Sequence, residues 1–135
     1  MTLKKNYFLI ILALVATTGF VSCKGNSGVV KVYSISMEDF ISKYDQNNKV
    51  QVLDVRTPDE YAEGHIPGAK LVPLNEVTSG ANIPYDKNSL IYAVCRSGHR
   101  SMQATQYLRD HGYTDIWSVD GGTMSWIGHN KPTDK

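Results

Sequence analysis

The chain has 135 residues, enough for one domain, and its formal net charge is +1 at pH 7. Hydrophobic residues make up 41% of it and charged residues 20%, which is typical of a chain that folds around an apolar core. A net charge so close to zero gives no case for nucleic-acid binding by bulk electrostatics. We therefore expect a single globular domain with no nucleic-acid partner.

The N-terminal segment is typical of a secretory signal peptide. Lys4 and Lys5 form a basic patch, and the mostly apolar, uncharged run over residues 7–21 is too short for a comfortable membrane span. A small residue then precedes Cys23, which resembles the lipobox of bacterial lipoproteins. The resemblance implies that residues 1–22 are removed and that Cys23 is lipidated. The alternative is an uncleaved anchor helix.

Lipidation would hold the protein in the cell envelope, on the periplasmic or cell-surface side of a bacterial membrane. The lipid on Cys23 would insert into the membrane, and residues 23–32 would comprise the lipidated cysteine and the tether to the domain. Cys95 would then be the only free thiol. An unpaired cysteine in a small exported domain calls for a reason, and a reactive role supplies one.

Strand-like and helix-like segments alternate along the rest of the chain. The patterns predict strands over residues 29–33, 50–55, 70–74, 90–94 and 114–119, and helices after Ser36 and over 58–63, 102–110 and 123–128. Ser36 and Thr57 are placed to cap helices, and Glu60 completes a capping box with Thr57. Residues 79–89 are expected to form a loop and the polar tail 130–135 to be frayed. The alternation predicts an α/β fold with a mostly parallel sheet.

The segment 94–101 connects a predicted buried strand to a predicted helix, and Cys95 lies at the carboxyl end of that strand, where parallel sheets bind ligands. Backbone N–H groups converge where a tight loop enters a helix, and the helix dipole adds partial positive charge. Gly98 lets the loop turn sharply, while Arg96 and Arg100 add two formal charges. These features predict a Cys95 pKa below the free value. The alternative is a buried structural cysteine near two surface arginines.

Several motifs occur in the order and spacing of a single-domain rhodanese: Asp54-Val55-Arg56, Glu60-Tyr61, Gly64-His65-Ile66-Pro67-Gly68-Ala69, the loop from Cys95 to Ser101, and Gly121-Gly122 followed by Trp126. The chain resembles that family over residues 34–128. The resemblance implies a rhodanese domain over residues 33–130, with a three-layer α/β/α fold and a central, mostly parallel five-stranded sheet.

The resemblance also implies a thiosulfate sulfurtransferase with Cys95 as its catalytic residue. The substrate-binding loop of the family falls on Arg96, Ser97, Gly98, His99, Arg100 and Ser101. In that family the cysteine takes sulfur from a donor such as thiosulfate, and the resulting persulfide passes to cyanide or a thiol acceptor. Arg96 and Arg100 are candidates for binding the sulfonate oxygens of the donor.

Three further residues are expected to support the site rather than to react. Asp54 is interpreted as anchoring a turn or pairing with Arg56, and His65 as a hydrogen-bonded structural histidine. No base is needed if the thiol pKa is already low. His99 is interpreted as a solvent-facing loop residue. Because the four histidines are scattered and one thiol is free, we expect no metal site and no cofactor.

Two other classes of function stay open. Cysteine phosphatases carry five residues between cysteine and arginine, whereas four residues separate Cys95 from Arg100 here. The shorter loop suits a persulfide better than a tetrahedral phosphoryl group, which disfavours a phosphatase or arsenate reductase. The other class is a sulfur carrier without turnover or a rhodanese-like binding module. Inactive modules of that kind usually lack the cysteine that is present here.

Overall fold

The computed structural model describes residues 32–47 and 49–135. The predicted signal peptide, Cys23 and most of the predicted tether, together with the start of the first predicted strand, lie outside the described residues. Within those residues, no helix is both long enough and apolar enough to cross a membrane.

Strands and helices alternate along the described part of the chain, as the sequence predicts. The strands are β1 (Ser34–Ile35), β2 (Gln51–Asp54), β3 (Lys70–Leu71), β4 (Ile91–Val94) and β5 (Ile116–Val119), and the helices are α1 (Met37–Gln46), α2 (Pro58–Glu63), α3 (Leu74–Thr78), α4 (His99–Asp110) and α5 (Gly122–Gly128). The strands form one sheet in the order β1-β5-β4-β2-β3, and every pair is parallel. The predicted five-stranded α/β fold is confirmed.

The predicted helix caps are present at α1 and α2. Ser36 Oγ accepts a hydrogen bond from the Asp39 N–H at 3.1 Å. Thr57 and Glu60 form a reciprocal capping box, and Pro58 occupies the first turn of α2, where its missing N–H costs nothing. These local signals act within three or four residues, which explains why the sequence alone reveals them.

The structure corrects several element boundaries. Residues 32 and 33, the described end of the first predicted strand, are not part of β1, which lies at Ser34–Ile35 because Ser34 and Ile35 pair with Ser118 and Val119 of β5. Strand β3 ends at Leu71 instead of residue 74, because Pro73 has the extended conformation of a helix N-cap and α3 follows directly. Helix α3 was not predicted; its five residues are too few to show a helical period. Helix α4 begins at His99 rather than at residue 102, because Gly98, with a φ of 109°, turns the chain directly into the helix.

The expectation of a frayed C-terminal tail is wrong. Asp134 and His65 exchange backbone hydrogen bonds of 2.9 Å in both directions, as an antiparallel bridge. The indole N–H of Trp126 donates to the Pro132 carbonyl at 2.7 Å. The polar composition of the tail does not reveal these contacts, because they depend on residues that are distant in sequence or part of a packed helix.

The core lies on both faces of the sheet, because successive side chains of a strand point to opposite sides. The first cluster packs against α3 and α4 and includes Leu53, Val77, Ile91, Ala93, Ala104, Leu108 and Cys95. The second cluster packs against α1 and α5 and includes Phe40, Val52, Tyr92, Val119 and Trp126. Strand β4 is the central strand, so the loop that follows it stands in the middle of the carboxyl edge of the sheet.

Candidate active site

Cys95 follows β4 directly and is 1% exposed. The Gly98 N–H donates a hydrogen bond to Cys95 Sγ at 3.0 Å, and Ser101 Oγ lies 3.5 Å from the sulfur. Burial opposes the thiolate, but hydrogen bonds from the Ser101 hydroxyl and from the N–H groups of Ser101, Gly98 and Ser97 outweigh it, so the pKa of the Cys95 thiol lies below its usual value. The direction agrees with the sequence prediction, and the hydrogen bonds of the loop are its main cause.

Two glycines allow this close geometry. Gly98 has a φ of 109°, in the left-handed region, which directs its N–H at the sulfur. At the start of α5, the N–H groups of Thr123 and Met124 donate to the carbonyls of Cys95 and Arg96 at 2.8 and 3.1 Å. A Cβ on Gly122 would lie 2.2 Å from the Cys95 carbonyl oxygen. The N-terminus of α5 can therefore hold the loop only because residue 122 has no side chain.

Gly122→Ala is expected to lower the free energy of unfolding by about 2–4 kcal/mol, because it adds a backbone clash to a residue with a φ of 55°. Urea denaturation measures the loss. Gly128→Ala on the same helix is the matched control, since no atom lies within 4 Å of its new Cβ. Equal stability of the two variants would contradict the assigned role of Gly122.

Arg100 is held by a carboxylate of α2. Its Nη1 and Nη2 groups donate to the two oxygens of Glu60, each at 2.7 Å. The hydrogen bond from Arg100, together with those from Thr57, outweighs partial burial and lowers the pKa of Glu60 to about 2. The ion pair thus joins α2 to the loop, and the positive charge of Arg100 is shared with Glu60. The sequence indicates Glu60 as a helix cap and as part of a rhodanese motif, but not as the partner of Arg100, because the two residues are 40 positions apart.

Three of the six predicted loop residues are exposed: Arg96, Ser97 and His99. Arg96 has no ion-pair partner among residues 32–47 and 49–135. It lines a groove of about 320 Å³ between α2 and α5, which also includes Glu63, Met124 and Ile127. Of the two arginines predicted to bind an anion, Arg96 is therefore the one without an ion pair to a described carboxylate. The exposure of His99 agrees with its interpretation as a solvent-facing residue.

Ser101 differs from its loop neighbours because it is completely buried. Its Oγ lies 3.0 Å from the Gly98 carbonyl oxygen and 2.7 Å from Oγ of Ser118 on β5, which is also completely buried. Ser118 is a site residue that the sequence motifs did not indicate. Ser118 comes two residues after the inward-facing Ile116, and side chains two residues apart on a strand share a face of the sheet. This spacing is the one sequence signal that could have placed Ser118 on the face of Ile116.

Two of the three predicted supporting residues are bonded to each other, and the third, His65, contacts Tyr61. Asp54 and Arg56 form the expected pair: Arg56 Nη2 donates to Asp54 Oδ2 at 2.7 Å, and Arg56 also donates to the carbonyls of Glu60 and Gly64. His65 stacks on the Tyr61 ring, with 3.7 Å between ring centroids, and its Nδ1 lies 3.0 Å from the Tyr61 carbonyl. These contacts hold α2 and the turn after it against the sheet.

Three or more potential metal ligands do not come together anywhere within the described ranges. The fold and the site together define a class of α/β protein in which a buried cysteine at the carboxyl edge of a parallel sheet accepts a hydrogen bond from the loop that follows it. The model of the rhodanese-like domain family matches residues 36–129. The chain belongs to the rhodanese-like family.

Two relatives extend this comparison. The chain is 36% identical over 102 residues to a sulfurtransferase of Allochromatium vinosum, a match that covers 75% of this chain and 94% of that protein. It is 38% identical over 94 residues to YrkF of Bacillus subtilis, a candidate sulfur carrier protein, covering 70% of this chain and 50% of YrkF. The chain thus spans about half the length of YrkF.

Solved structures show the same fold. A rhodanese-like domain protein from Staphylococcus aureus superposes with a TM-score of 0.64 at 37% identity, covering 70% of this chain and 91% of that one. A human single-domain sulfurtransferase superposes with a TM-score of 0.64 at 25% identity, covering 72% and 96%. Single-domain proteins of the sulfurtransferase type are therefore among the relatives of this chain.

Proposed function

We propose that this protein is a sulfurtransferase that moves sulfane sulfur from thiosulfate or a related donor to cyanide or a thiol, through a persulfide on Cys95. The observation that carries the proposal is the Gly98 N–H donating to Cys95 Sγ at 3.0 Å, in a loop that lowers the thiol pKa. The sulfurtransferase relatives support the same reaction class.

The reaction divides into two displacements at sulfur. The Cys95 thiolate attacks the outer sulfur of thiosulfate, a new S–S bond forms, the S–S bond of the donor breaks, and sulfite leaves with the bonding electron pair. An acceptor then attacks the outer sulfur of the persulfide: cyanide leaves as thiocyanate, a thiolate leaves as a new persulfide, and the Cys95 thiolate returns. The N–H groups of the loop stabilise negative charge on sulfur in both steps, as an oxyanion hole does for oxygen.

Intact mass of the full chain before and after excess thiosulfate tests the proposal. A gain of one sulfur, about 32 Da, that cyanide then removes is the expected result. An adduct formed from a phosphate or arsenate analogue instead would overturn the proposal in favour of phosphatase-like chemistry. No adduct from either compound would favour a binding module, or a carrier that only a specific partner can load.

Arg96 is proposed to bind the anionic donor, because it follows Cys95 in the chain, is exposed, lines a groove and forms no ion pair with a described carboxylate. Arg96→Ala is expected to raise the KM for thiosulfate by about 10-fold, which corresponds to one charged hydrogen bond, with the thermal midpoint unchanged. Steady-state kinetics with cyanide as acceptor measures the KM. Arg96→Lys, which keeps the charge, is the matched control.

Arg100→Ala serves as the comparison for Arg96, since it also breaks the ion pair with Glu60. It is expected to lower the thermal midpoint as well as donor affinity. An unchanged KM in Arg96→Ala together with a raised KM in Arg100→Ala would assign donor binding to Arg100 instead.

A sulfur carrier without turnover of its own is the second candidate function. The observation that favours it is the likeness to YrkF, a candidate sulfur carrier protein. Cys95 is also the one free thiol of the described residues, so they contain no second cysteine to resolve the persulfide within the domain. Stable loading by thiosulfate with no transfer to cyanide or to small thiols would favour this alternative.

The lipid anchor is a separate proposal that rests on the sequence up to Cys23. The protein is proposed to be exported and held in the bacterial cell envelope through the lipidated Cys23. When expressing cells are extracted by detergent phase separation, the natural chain is expected in the detergent phase. The Cys23→Ser chain is expected to keep its signal peptide uncleaved. A Cys23→Ser chain processed like the natural one would contradict lipidation.

A further inference from the structure

Two buried hydroxyl groups form a chain that ends at the reactive sulfur. Oγ of Ser118, on β5, lies 2.7 Å from Oγ of Ser101, on α4, and Ser101 Oγ lies 3.5 Å from Cys95 Sγ. All three residues are at most 1% exposed. No solvent-exposed group separates them, so each hydroxyl proton of this hydrogen-bonded series needs an acceptor among the neighbouring groups.

The direction of the outer hydrogen bond follows from counting protons. A serine hydroxyl donates one hydrogen bond and can accept two. Within the described part of the chain, Ser101 Oγ is the one hydrogen-bond partner of the Ser118 hydroxyl. Ser118 must therefore donate to Ser101, because in the opposite direction its own buried proton would have no acceptor.

The Ser101 proton then has two possible acceptors. One is the Gly98 carbonyl oxygen at 3.0 Å, and the other is Cys95 Sγ at 3.5 Å. The Gly98 carbonyl already accepts the Met102 N–H of α4 at 3.1 Å, so it remains hydrogen-bonded when Ser101 turns away. The Ser101 hydroxyl can therefore donate either to the carbonyl oxygen or to the sulfur.

The charge of the sulfur determines which of the two groups accepts the Ser101 proton. A thiol can donate its proton to Ser101 Oγ, which then donates to the Gly98 carbonyl. A thiolate can only accept, so the Ser101 proton turns to the sulfur, and Ser101 Oγ loses the hydrogen bond that it received from the thiol. The Ser118 hydroxyl donates in both states, and in the thiolate state it is the one group that keeps Ser101 Oγ satisfied and polarises its O–H.

We propose that Ser118 is a positioning residue of this site: it supports the orientation in which the Ser101 hydroxyl donates to a negatively charged Cys95 sulfur. The proposal rests on the proposed function in taking the Cys95 thiolate as the reactive group. It concerns the sulfur before any donor binds, however, so it is testable without sulfur transfer.

The test is the pH dependence of Cys95 alkylation by iodoacetamide in the full chain, with the modified peptide identified by mass spectrometry. In Ser118→Ala, the midpoint of the alkylation profile is expected to shift upward by about 0.5–1 pH unit, which makes alkylation about 3- to 10-fold slower below the midpoint. The rate constant at the alkaline plateau is expected to stay within about twofold of the natural chain, because the thiolate is fully formed there.

Thr105→Val is the matched control. Thr105 Oγ1 lies buried on α4, one turn beyond Ser101, and has no hydrogen-bond partner in the described structure. Its replacement removes a buried hydroxyl of the same helix at nearly constant volume and is expected to leave the alkylation midpoint unchanged. A shift equal to that of Ser118→Ala would show that any buried change near α4 moves the midpoint, and would overturn the proposal.

A double-mutant cycle separates action through Ser101 from a packing effect. In a Ser101→Ala background, Ser118→Ala is expected to shift the midpoint no further, and an undiminished shift there would overturn the proposal. Ser118→Thr keeps the hydroxyl and is expected to retain the natural midpoint, which covers the case in which Ser118→Ala unfolds. A shifted midpoint in folded Ser118→Thr would assign the effect to packing. Failure of thiosulfate to load the natural chain would refute the proposed function and leave these alkylation results unaffected.

Discussion

Cys95→Ser is expected to abolish sulfur loading from thiosulfate and to reduce sulfur transfer by about 10³-fold or more. An alkoxide would be needed in place of the thiolate, and the described hydrogen-bond partners of the sulfur, the Gly98 N–H and the Ser101 hydroxyl, include no base that could remove a hydroxyl proton. A serine oxygen also cannot form the S–S bond that stores the transferred sulfur. Intact mass after thiosulfate and the rate of thiocyanate formation measure the two losses.

The control is Cys23→Ser, which changes the other cysteine of the chain and lies outside the rhodanese domain. It is expected to load and release sulfur like the natural chain. The Cys95→Ser domain is expected to remain folded, because serine is smaller than cysteine and its oxygen can accept the Gly98 N–H. Sulfur transfer that persists in folded Cys95→Ser would contradict the persulfide mechanism.

Asp54→Asn is expected to lower the free energy of unfolding by about 3–5 kcal/mol, the usual cost of removing one partner of a buried ion pair. Asp54 is 0% exposed and Arg56 6% exposed, and three side-chain hydrogen bonds of 2.7–3.0 Å join them. The amide keeps the shape of the carboxylate but has no charge and only one acceptor oxygen. The buried guanidinium therefore loses its counter-charge and keeps only neutral acceptors, among them the carbonyls of Glu60 and Gly64. Urea denaturation measures the loss.

The same substitution at an exposed ion pair is the control. Asp45 pairs with Lys131 and is 54% exposed, so Asp45→Asn is expected to cost less than about 1 kcal/mol. A loss in Asp54→Asn as small as in Asp45→Asn would show that Asp54 and Arg56 do not hold this part of the domain together. Because α2 also carries Glu60, the partner of Arg100, we expect Asp54→Asn to reduce the rate of sulfur loading in the fraction that remains folded.

Residue patterns are sufficient to predict the features that depend on near neighbours in the chain. Apolar runs located β2, β4 and β5, and the caps at Ser36 and Thr57 located the starts of α1 and α2, because each signal acts within a few residues. The position of Cys95 at the end of the most buried strand, with Gly98 three residues later, predicted a thiol surrounded by N–H groups. The hydrogen bonds that lower the pKa of that thiol come from Ser97, Gly98 and Ser101, all within six residues of Cys95 in the chain.

Which groups from distant segments meet at the loop depends on how the sheet and its helices pack. The sheet order places β5 beside β4, which brings Ser118 to Ser101 and the N-terminus of α5 to the carbonyls of Cys95 and Arg96. It also brings Glu60 to Arg100, so that an arginine expected to bind substrate is held in an ion pair. These partners are 17 to 40 residues apart, and no local propensity encodes which strand lies next to which. Their meeting depends on burying the whole sheet between its helices, and that is settled only when the complete domain packs.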